Sequence, residues 1–412
     1  MTGAVNGTQL IWPAEGNTRI PYRIYSDPAI FATEMERIFR GRSWAYAGLE
    51  IEIPNAGDYK VTRIGDTSVV ITRDENGDIR GFVNRCAHRG VKLCRHEFGN
   101  TRFFVCPYHQ WSYDATGSLR GVPFINGVKQ FGGMPDDFDR TDYALPRLSI
   151  LTRNGVIFAS FHHDMPSLPA YLGEVNTQYF DRVFDGRALK LLGYSRQLIP
   201  GNWKLMFENI KDPYHASLLH VFLVTFGLFR ADQKSQVRMD PEGRHALLIS
   251  QRGEQKASVA TRDIANLRED FVLQDERLLD PVKEFPDDAT VVMQTVWPNL
   301  IVQQQSNTLA LRQIQPRDPG SFELHWTFFG YADDDDAMTM RRLRQANLMS
   351  SAGLVSGDDS EVIKLTQDGV VRHPGDAGVL LMGGRDTNDT QHMVTETALR
   401  AFYSHYRSVM GF

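Results

Sequence analysis

Two short stretches of the sequence each combine a cysteine with a histidine. Cys86-Ala87-His88 is followed, after 17 residues, by Cys106-Pro107-Tyr108-His109. Two thiolates and two imidazoles make a four-ligand set that can hold zinc or an iron–sulfur cluster. Zinc modules usually pair like ligands, whereas each stretch here supplies one Cys and one His. A two-iron cluster with two thiolates on one iron and two imidazoles on the other needs this mixed arrangement.

The pattern C-x-H-x17-C-x-x-H, with Arg89-Gly90 after the first histidine, resembles a Rieske [2Fe–2S] domain. Replacing two thiolates by neutral imidazoles raises the reduction potential, so such a centre suits accepting electrons from a carrier of lower potential. A zinc site, or no metal, is the alternative. The resemblance implies four cluster ligands, which are Cys86, His88, Cys106 and His109.

The three cysteines of the chain are crowded into a short segment, and an odd set in a long chain does not form a disulfide framework. Cys94 has no partner once Cys86 and Cys106 are assigned to the cluster. We interpret Cys94 as a small core residue. His96, two residues away, is interpreted as a loop histidine rather than a ligand.

A second pair of histidines, His215 and His220, follows Asp212 and Pro213. Asp212 and Pro213 have the residue types of a helix N-cap and first helical position, which places His215 in the first turn of a helix. Five residues correspond to about 140° around an ideal helix, so both histidines reach one metal only if the helix is distorted or the metal lies at its edge. The spacing alone leaves a structural role open for both.

The run N-W-K-x3-E-N-x2-D-x-Y-H-x4-H, from Asn202 to His220, resembles the catalytic signature of Rieske non-haem iron oxygenases, specifically the large subunit of aromatic-ring hydroxylases. In that family two histidines and a distant aspartate bind mononuclear Fe(II) and leave positions open for O₂. Residues 352–359 resemble the family's A-G-x4-[DE]-D segment, whose second acid binds iron. The resemblance implies the ligands His215, His220 and Asp359, with Asp358 and then Glu361 as competitors for the third position.

The resemblance also gives Asp212 a role beyond capping. The matching aspartate hydrogen-bonds an iron-ligand histidine of its own subunit and a Rieske histidine of the next, so Asp212 would orient His215 and reach His109 of a neighbouring chain. A ring of at least three α subunits is implied, either a homotrimer or an α3β3 assembly with a small β subunit. Asn209 is expected close to the iron without binding it.

The implied chemistry is reductive activation of O₂ and oxidation of an aromatic ring to a cis-dihydrodiol or a phenol. No G-x-G-x-x-G follows a strand and no flavin segment is apparent, so electrons from NAD(P)H are expected through a separate reductase, with or without a ferredoxin. Three other functions compete: O-demethylation of a methoxybenzoate with the same metal ligands, Rieske electron transfer alone, and a zinc-stabilised binding module.

The resemblance runs over nearly the whole chain and is strongest to hydroxylases of benzoate-type acids, including salicylate, anthranilate and terephthalate. A carboxylate substrate requires a buried cation, and Arg312, flanked by apolar residues in a predicted strand, is the candidate for a bidentate clamp. The alternative is a strand arginine paired with an acid or exposed to solvent. Met393 stands where a second cation would serve a dicarboxylate, which favours a monocarboxylate such as salicylate or anthranilate over terephthalate.

The elements that position these residues change in type along the chain. Ser26–Arg40 is a predicted helix capped by Asp27, and short β-like runs with turn signals from 44 to 161 predict an all-β domain of roughly 120 residues. Beyond it, Tyr194–Ile199 predicts a strand and Asn202–Phe229 a helical region. Five further strands and two more helices are predicted at His245–Gln251, Thr290–Val296, Leu300–Gln304, Thr308–Gln315, Phe322–Tyr331, 333–348 and Val394–Met410.

This pattern predicts an α+β chain in three parts. Residues 1–40 form an N-terminal helical segment that packs on the catalytic domain, 41–161 form the Rieske domain, and 162–412 form the catalytic domain. The catalytic domain is expected to contain an antiparallel sheet with helices mostly on one side, which the resemblance implies is a helix-grip, START-like fold.

Composition narrows the class of protein further. The 412 residues include 45 Lys plus Arg against 50 Asp plus Glu, and the resulting net charge of −5 gives no field that would attract nucleic acid or an acidic membrane. A hydrophobic content of 42% excludes wholesale disorder. No signal-peptide pattern and no bilayer-length apolar stretch is visible, so a soluble cytoplasmic protein is expected.

Overall fold

The computed structural model describes residues 10–252, 271–351 and 353–412. The chain divides into two compact units. Phe39–Pro166 form the smaller one, and the larger one combines the residues up to Ile38 with Ser167–Phe412. Of the described helices, none is long and apolar enough to cross a membrane.

Strands predominate in both units. In chain order they are β1 Arg19–Pro21, β2 Ala45–Leu49, β3 Asp58–Ile64, β4 Thr67–Arg73, β5 Ile79–Val83, β6 Phe98–Asn100, β7 Phe104–Val105, β8 Ser112–Tyr113, β9 Leu119–Gly121, β10 Ser149–Arg153, β11 Val156–Ser160, β12 Leu189–Ile199, β13 Ser235–Met239, β14 Ala246–Ser250, β15 Val291–Val296, β16 Leu300–Gln305, β17 Thr308–Asp318, β18 Ser321–Tyr331 and β19 Ala377–Val379.

The helices lie mostly in the larger unit. They are α1 Pro28–Glu34, which continues as a π-helical turn at Met35–Phe39, α2 Leu168–Leu172, α3 Glu174–Val183, α4 Trp203–Lys211, α5 Pro213–Leu219, α6 Val221–Thr225, α7 Asp336–Met349, α8 Leu354–Val371 and α9 Thr397–Met410. Single 3₁₀ turns occur at Gly16–Thr18, Tyr22–Tyr25, Glu50–Glu52, Arg140–Tyr143 and Glu276–Leu279.

The smaller unit is all-β, as predicted, and contains three small antiparallel sheets with the orders β5-β4-β3-β6, β10-β11-β2 and β7-β8-β9. Its hairpins follow the turn signals in the sequence. At β4–β5 the Asn76 N–H donates to Asp74 Oδ1 at 2.9 Å and Gly77 adopts φ +86°. At β8–β9 the Thr116 N–H donates to Asp114 Oδ1 at 2.8 Å. An aspartate that caps its own turn and a glycine at positive φ therefore fix both hairpins.

The larger unit is built on a seven-stranded antiparallel sheet with the order β12-β18-β17-β16-β15-β14-β13. The predicted meander is confirmed, with each predicted strand present to within a few residues. Helix α4 contacts β14, β15 and β17 on one side and α8 and α9 on others. This sheet and these helices form the α+β arrangement that the sequence predicts.

Several elements differ from the prediction. The region Asn202–Phe229 forms three short helices: the break predicted at Asp212-Pro213 is present, and a second break, which was not predicted, lies at His220. The terminal helix begins at Thr397 rather than Val394, and its first seven residues are buried on every side, so only its second half is amphipathic. Elements with no predicted counterpart are β1, β2, β6, β8, β9, β10, β11, β13, β19, α2, α3 and α8.

A buried ion pair anchors α4 to the N-terminal segment. Lys204 Nζ donates to Glu34 Oε1 at 2.6 Å, and neither side chain is exposed to solvent. Glu34 also accepts hydrogen bonds from Trp203 Nε1 at 2.8 Å and from the Tyr406 hydroxyl at 2.6 Å. Three helices, α1, α4 and α9, therefore meet at one carboxylate, since a buried charge is tolerated only where hydrogen bonds compensate it.

We predict that Lys204→Met lowers the free energy of unfolding by about 3–5 kcal/mol, because Glu34 is left as an uncompensated buried charge. The double variant Glu34→Gln/Lys204→Met is expected to lose less than the single variant. Lys364→Met is the control, since its 3.6 Å contact with Glu361 is exposed and is worth under about 1 kcal/mol. Urea unfolding measures all three. Equal losses for Lys204→Met and Lys364→Met would contradict the assigned role.

Candidate metal centres

The two cysteine and histidine loops of the smaller unit share one backbone design. The Cys86 N–H donates to the carbonyl of Val91 at 2.8 Å, and the Cys106 N–H donates to the carbonyl of Trp111 at 2.8 Å, five residues on in each case. The residue four positions after each cysteine donates back to the cysteine carbonyl and has a positive φ. These residues are Gly90 at +72° and Gln110 at +56°. Each loop is thus a closed turn that holds its cysteine rigidly.

The two ligand types lie at different depths. Cys86 and Cys106 are each 2% exposed, whereas His88 is exposed and His109 is half-buried, with 4.6 Å between the two imidazole centres. Burial raises the pKa of the Cys86 thiol, so a bound metal is needed to hold it as a thiolate. His109 Nδ1 is buried without a hydrogen-bond partner among the described residues, as expected of an atom that binds a metal.

The donor atoms of the two cysteines and two histidines are too far apart to bind a single metal ion. Among the described residues, the metal-ligating side chains whose donor atoms lie within 4.8 Å of one another are His215, His220 and Asp359. The two cysteines and two histidines are not such a group, which fits a two-iron cluster and disfavours a single tetrahedral zinc.

Two aromatic residues support the cluster loops. The Tyr113 hydroxyl accepts the Ala87 N–H at 3.1 Å and lies 3.3 Å from Cys86 Sγ, so its own proton is available to the sulfur. Burial raises the pKa of Tyr113, which keeps that proton in place. Trp111 stacks on His88 at 4.8 Å and 7°. Hydrogen bonds to cluster sulfurs are one means by which a protein sets the reduction potential.

In the larger unit the break between α5 and α6 resolves the spacing of His215 and His220. Pro213 begins α5, so His215 lies in its first turn as predicted, and α5 ends at Leu219. His220 has φ −88° and ψ 79°, outside the helical region. Its side chain turns back toward His215, with the imidazole centres 5.4 Å apart. The distortion that the sequence requires for joint metal binding is therefore present.

Asp359 joins these two histidines from helix α8. Its Oδ1 lies 3.1 Å from His220 Nε2 and 3.6 Å from His215 Nε2. The side-chain amide of Asn209 donates to the same oxygen at 2.9 Å. The two other candidates for the third ligand position lie outside this group. The Asp358 carboxylate is 3.3 Å from the other nitrogen of His220, Nδ1, and its side chain is 42% exposed. Glu361 pairs with Lys364. Ala352 of the matched segment lies outside the described residues.

The electrostatics of this group suit a divalent cation. Although burial alone raises the pKa of Asp359, hydrogen bonds and charge interactions with His215 and His220 hold it far below its usual value. Burial alone lowers the pKa of His215, but Asp212 and Asp359 raise it to about 10. Without a metal the group therefore retains a proton at the place where a metal ion supplies positive charge.

The Asp212 carboxylate contacts both the N-terminus of α5 and the His215 imidazole. Its Oδ1 accepts the Tyr214 N–H at 2.8 Å and caps α5, and its Oδ2 lies 3.6 Å from His215 Nδ1. That nitrogen and Asn209 Oδ1 are buried without hydrogen-bond partners among the described residues. Capping and contact with the histidine therefore coexist in one side chain.

A cavity opens beside the three ligands, and Arg312 lines it. Arg312 is 2% exposed, and its guanidinium lies 4.7 Å from the ring centre of Trp326. Its Nη2 contacts Met293 Sδ at 3.8 Å, and its Nε has no hydrogen-bond partner in the described structure. Burial lowers the pKa of Arg312 to about 10, which the Asp359 charge opposes, so the side chain stays cationic at neutral pH.

The remaining cavity wall is mostly apolar, apart from two glutamines that were not predicted as site residues from the sequence. Gln303 and Gln305 line the cavity, and Gln303 donates to Gln305 Oε1 at 3.1 Å while its own Oε1 has no partner among the described residues. The available signal was the run of three consecutive glutamines at the end of the predicted strand Leu300–Gln304. Met393 is fully buried in the apolar cluster beside the cavity, which also includes Leu223 and Met349.

Two family models match the chain, one in each of its parts. A family model described as "Ring hydroxylating alpha subunit (catalytic domain)" matches residues 171–411, and one described as "Rieske [2Fe-2S] domain" matches residues 43–132. Together these matches cover all seven candidate metal ligands.

Among relatives, the chain is 49% identical over 406 residues to the large oxygenase component of a salicylate 5-hydroxylase from Ralstonia sp, covering 97% of this chain and 96% of that protein. It is 42% identical to the large subunit of an anthranilate 1,2-dioxygenase from Burkholderia cepacia, covering 97% and 95%. Among solved structures, naphthalene 1,2-dioxygenase from Rhodococcus sp. superimposes with a TM-score of 0.79 at 26% identity, covering 95% of this chain and 94% of that one.

We predict that Cys94 is chemically inert in the folded protein. Burial raises its pKa to about 12, so the thiol stays protonated at pH 8 and does not react as a thiolate. Iodoacetamide at that pH is expected to leave Cys94 unmodified in native protein and to alkylate it after denaturation, as mass spectrometry will show. Cys94→Ala should retain the Rieske electron paramagnetic resonance (EPR) signal, whereas Cys106→Ala should lose it. Loss of the signal in Cys94→Ala would contradict this division of the cysteines.

Proposed function

The chain belongs to the ring-hydroxylating oxygenase alpha subunits, and from that membership we propose that it hydroxylates an aromatic monocarboxylic acid, with salicylate or anthranilate as substrate. It is a Rieske non-haem iron oxygenase, whose cofactors are a Rieske [2Fe–2S] cluster and a mononuclear iron that together supply the electrons and the activation of O₂. The observation that carries the choice of substrate is Arg312, which is buried in the cavity beside the three iron ligands and has no acidic partner among the described residues.

An unpaired buried guanidinium is costly, because a charge removed from water needs a partner of opposite sign. Asp359 is the nearest acid that affects the Arg312 pKa, but its Oδ1 is occupied by two imidazoles and an amide. A substrate carboxylate would supply the missing anion. The planar guanidinium can donate two parallel hydrogen bonds to it, which would fix the direction of the aromatic ring.

Gln303 Oε1, which has no hydrogen-bond partner among the described residues, narrows the class of substrate further. Met293 lies opposite Gln303 in the β15–β16 register and contacts Arg312, so the Gln303 acceptor and the Arg312 donor share one side of the cavity. A ring with a hydrogen-bond donor next to its carboxylate would satisfy both groups, as a hydroxyl or amino substituent does. Unsubstituted benzoate would leave Gln303 Oε1 unpaired. Met393 supplies no charge for a second carboxylate, which disfavours terephthalate.

We assign His215, His220 and Asp359 as the iron ligands, and Cys86, His88, Cys106 and His109 as the cluster ligands. Asn209 and Asp212 are positioning residues, because each contacts the ligand group without joining it. Asp212 is further proposed to reach His109 of a neighbouring copy, in a homotrimer or an α3β3 assembly. A separate reductase, with or without a ferredoxin, would deliver electrons from NAD(P)H. Of the predicted parts, 1–40 would support the catalytic domain at 162–412, and 41–161 would carry the cluster.

The substrate proposal predicts that Arg312→Gln lowers kcat/KM for salicylate by about 100-fold, mainly through KM, because a charged bidentate contact is lost. Arg317→Gln is the control, since Arg317 lies on the same strand but is half-exposed and paired with Glu323. Product formation is measured with a surrogate reductase on salicylate, anthranilate, benzoate, 2-methoxybenzoate and terephthalate. Faster turnover of terephthalate than of both ortho-substituted acids, or an unchanged KM in Arg312→Gln, would contradict the proposal. Release of formaldehyde from 2-methoxybenzoate as the main reaction would indicate O-demethylation instead.

The iron assignment predicts that Asp359→Asn loses the mononuclear iron and retains the cluster. Iron content should fall from about three to about two atoms per chain, with an unchanged Rieske EPR signal and no product. Asp358→Asn is the matched control and should keep about three, because Asp358 contacts the other nitrogen of His220. Full turnover by Asp359→Asn, or loss of iron from Asp358→Asn alone, would show that Asp358 rather than Asp359 is the third iron ligand.

A further inference from the structure

One glutamine outside the cavity joins the sheet to helix α8. Gln197 lies on the edge strand β12 and is half-buried. Its Oε1 accepts hydrogen bonds from Trp326 Nε1 at 2.9 Å and from the Ser356 hydroxyl at 3.0 Å, and its Nε2 donates to the Ser360 hydroxyl at 3.1 Å. An indole N–H can only donate, so the amide oxygen must face Trp326 and the orientation of the amide is fixed.

The first of these hydrogen bonds leads to Arg312. In the antiparallel register Trp326 on β18 is directly opposite Arg312 on β17, so the two side chains lie on the same face of the sheet. The guanidinium lies 4.7 Å from the centre of the Trp326 ring and contacts Met293 Sδ at 3.8 Å. Because Arg312 has no acidic or carbonyl partner among the described residues, the position of its guanidinium depends on the orientation of that ring.

The other two hydrogen bonds lead to the helix that carries Asp359. Ser356 and Ser360 are one turn apart on α8, and the Ser360 hydroxyl also donates to the Ser356 carbonyl at 2.7 Å. On an ideal helix the two serines lie within about 40° of each other, and Asp359 lies about 60° from one and about 100° from the other. Gln197 therefore fixes the rotation of α8 about its axis, and a rotation would move the Asp359 carboxylate relative to the two histidines.

Neither Gln197 nor Trp326 is among the described residues that line the cavity, so each acts on the site through the residues it contacts. We propose that Gln197 is a positioning residue that orients Arg312 through Trp326 and orients Asp359 through α8. The proposal rests on the proposed function, in which Arg312 binds the substrate carboxylate and Asp359 binds the iron. One amide would then fix both ends of the reacting pair, and misplacement by about 1 Å can cost about 100-fold in rate.

The competing explanation is that Gln197 stabilises the fold and has no effect on the site. Gln304 provides a matched control, because it is a buried glutamine of the same sheet whose Nε2 donates to the carbonyls of Thr290 at 3.2 Å and Ser306 at 2.8 Å. Successive side chains of a strand point to opposite faces, so Gln304 faces away from the cavity that Gln303 lines. Gln304→Met therefore removes buried hydrogen bonds without touching the residues of the proposal.

The test measures two properties of the iron-loaded oxygenase without reductant, so neither needs turnover. The first is the dissociation constant for salicylate and for its uncharged analogue salicylamide, from isothermal titration calorimetry. The second is the rate at which EDTA removes the mononuclear iron, followed as the fall from about three to about two irons per chain. Salicylamide separates a loss of carboxylate binding from a general loss of cavity shape.

Three variants separate the two connections. Gln197→Met removes all three hydrogen bonds at similar side-chain volume. Trp326→Phe removes the indole N–H and keeps an aromatic face for Arg312, so it affects the first connection alone. Ser356→Ala removes one hydrogen bond to α8 and leaves the contact of Gln197 with Trp326 in place, so it affects the second connection alone.

We expect Gln197→Met and Trp326→Phe to raise the dissociation constant for salicylate about tenfold and to leave that for salicylamide unchanged. The double variant should bind salicylate no more weakly than the weaker single variant, since both changes break the same hydrogen bond. Gln197→Met and Ser356→Ala should each lose iron about tenfold faster, and Trp326→Phe should not. Gln304→Met should match the wild type in both measurements.

Wild-type salicylate affinity and iron retention in Gln197→Met would overturn the proposal. Equal losses of affinity for salicylate and salicylamide, or the same changes in Gln304→Met, would also overturn it, because they would indicate a general loss of structure. If Gln197→Met does not fold, the other two variants decide. Wild-type salicylate affinity in Trp326→Phe together with wild-type iron retention in Ser356→Ala would then contradict the role of Gln197.

A failure of the proposed function gives a different result. If Arg312→Gln leaves the affinity for salicylate unchanged, the proposed contact with the substrate carboxylate is wrong, and the role of Gln197 is wrong with it. If Arg312→Gln weakens salicylate binding and neither Gln197→Met nor Trp326→Phe does, the contact is retained and only the role of Gln197 is wrong.

Discussion

Convergence of His215, His220 and Asp359 is the constraint on which the larger unit depends. The two histidines come from a segment that cannot continue as one helix, and the aspartate comes from α8, far along the chain. Each must arrive without a proton to bind a metal, yet burial opposes a lone carboxylate charge. Without a metal, His215 keeps a proton because Asp212 and Asp359 raise its pKa, and this positive charge compensates Asp359 until a metal ion replaces it. The interruptions at Pro213 and His220 are thus requirements of the site.

Other buried charges of the unit are satisfied either by an opposite charge or by backbone carbonyls. Glu34 is satisfied by Lys204, Trp203 and Tyr406, which holds the start of α4. At the other end of the sheet, Arg342 on α7 pairs with both Glu284 and Asp334. Arg400 is also buried without an ion pair in the described structure, but it donates to three backbone carbonyls. Arg312 has neither kind of partner among the described residues, because its Nη2 reaches only the Met293 sulfur and its Nε is unsatisfied. It lies in the cavity beside the metal ligands, where a substrate can supply the missing anion.

Local chemistry explains which features the sequence could predict. The Asp-x-x-Gly hairpins, the Asp212-Pro213 helix start and the meander strands follow from turn residues, capping and alternation, which are local rules. Helix α8 escaped prediction because Gly357, Gly369 and several β-branched residues lower its propensity, and because three of its buried positions are Ser356, Asp359 and Gln367 rather than apolar. Its periodicity is present, but in polar residues. The unpaired acceptor of Gln303 is likewise invisible in sequence, since whether a buried amide finds a partner depends on three strands in register.

The smaller unit solves a different problem, which is to bury a redox centre while keeping it accessible. Closed turns place both thiols at 2% exposure, where Tyr113 can donate to sulfur, and leave the His88 imidazole exposed. Electron transfer needs proximity and no bond, so one exposed side of a cluster is sufficient for a partner to approach. Under the proposed role of Asp212, the partner at that side is a neighbouring copy, whose carboxylate would meet the His109 nitrogen that has no hydrogen-bond partner among the described residues.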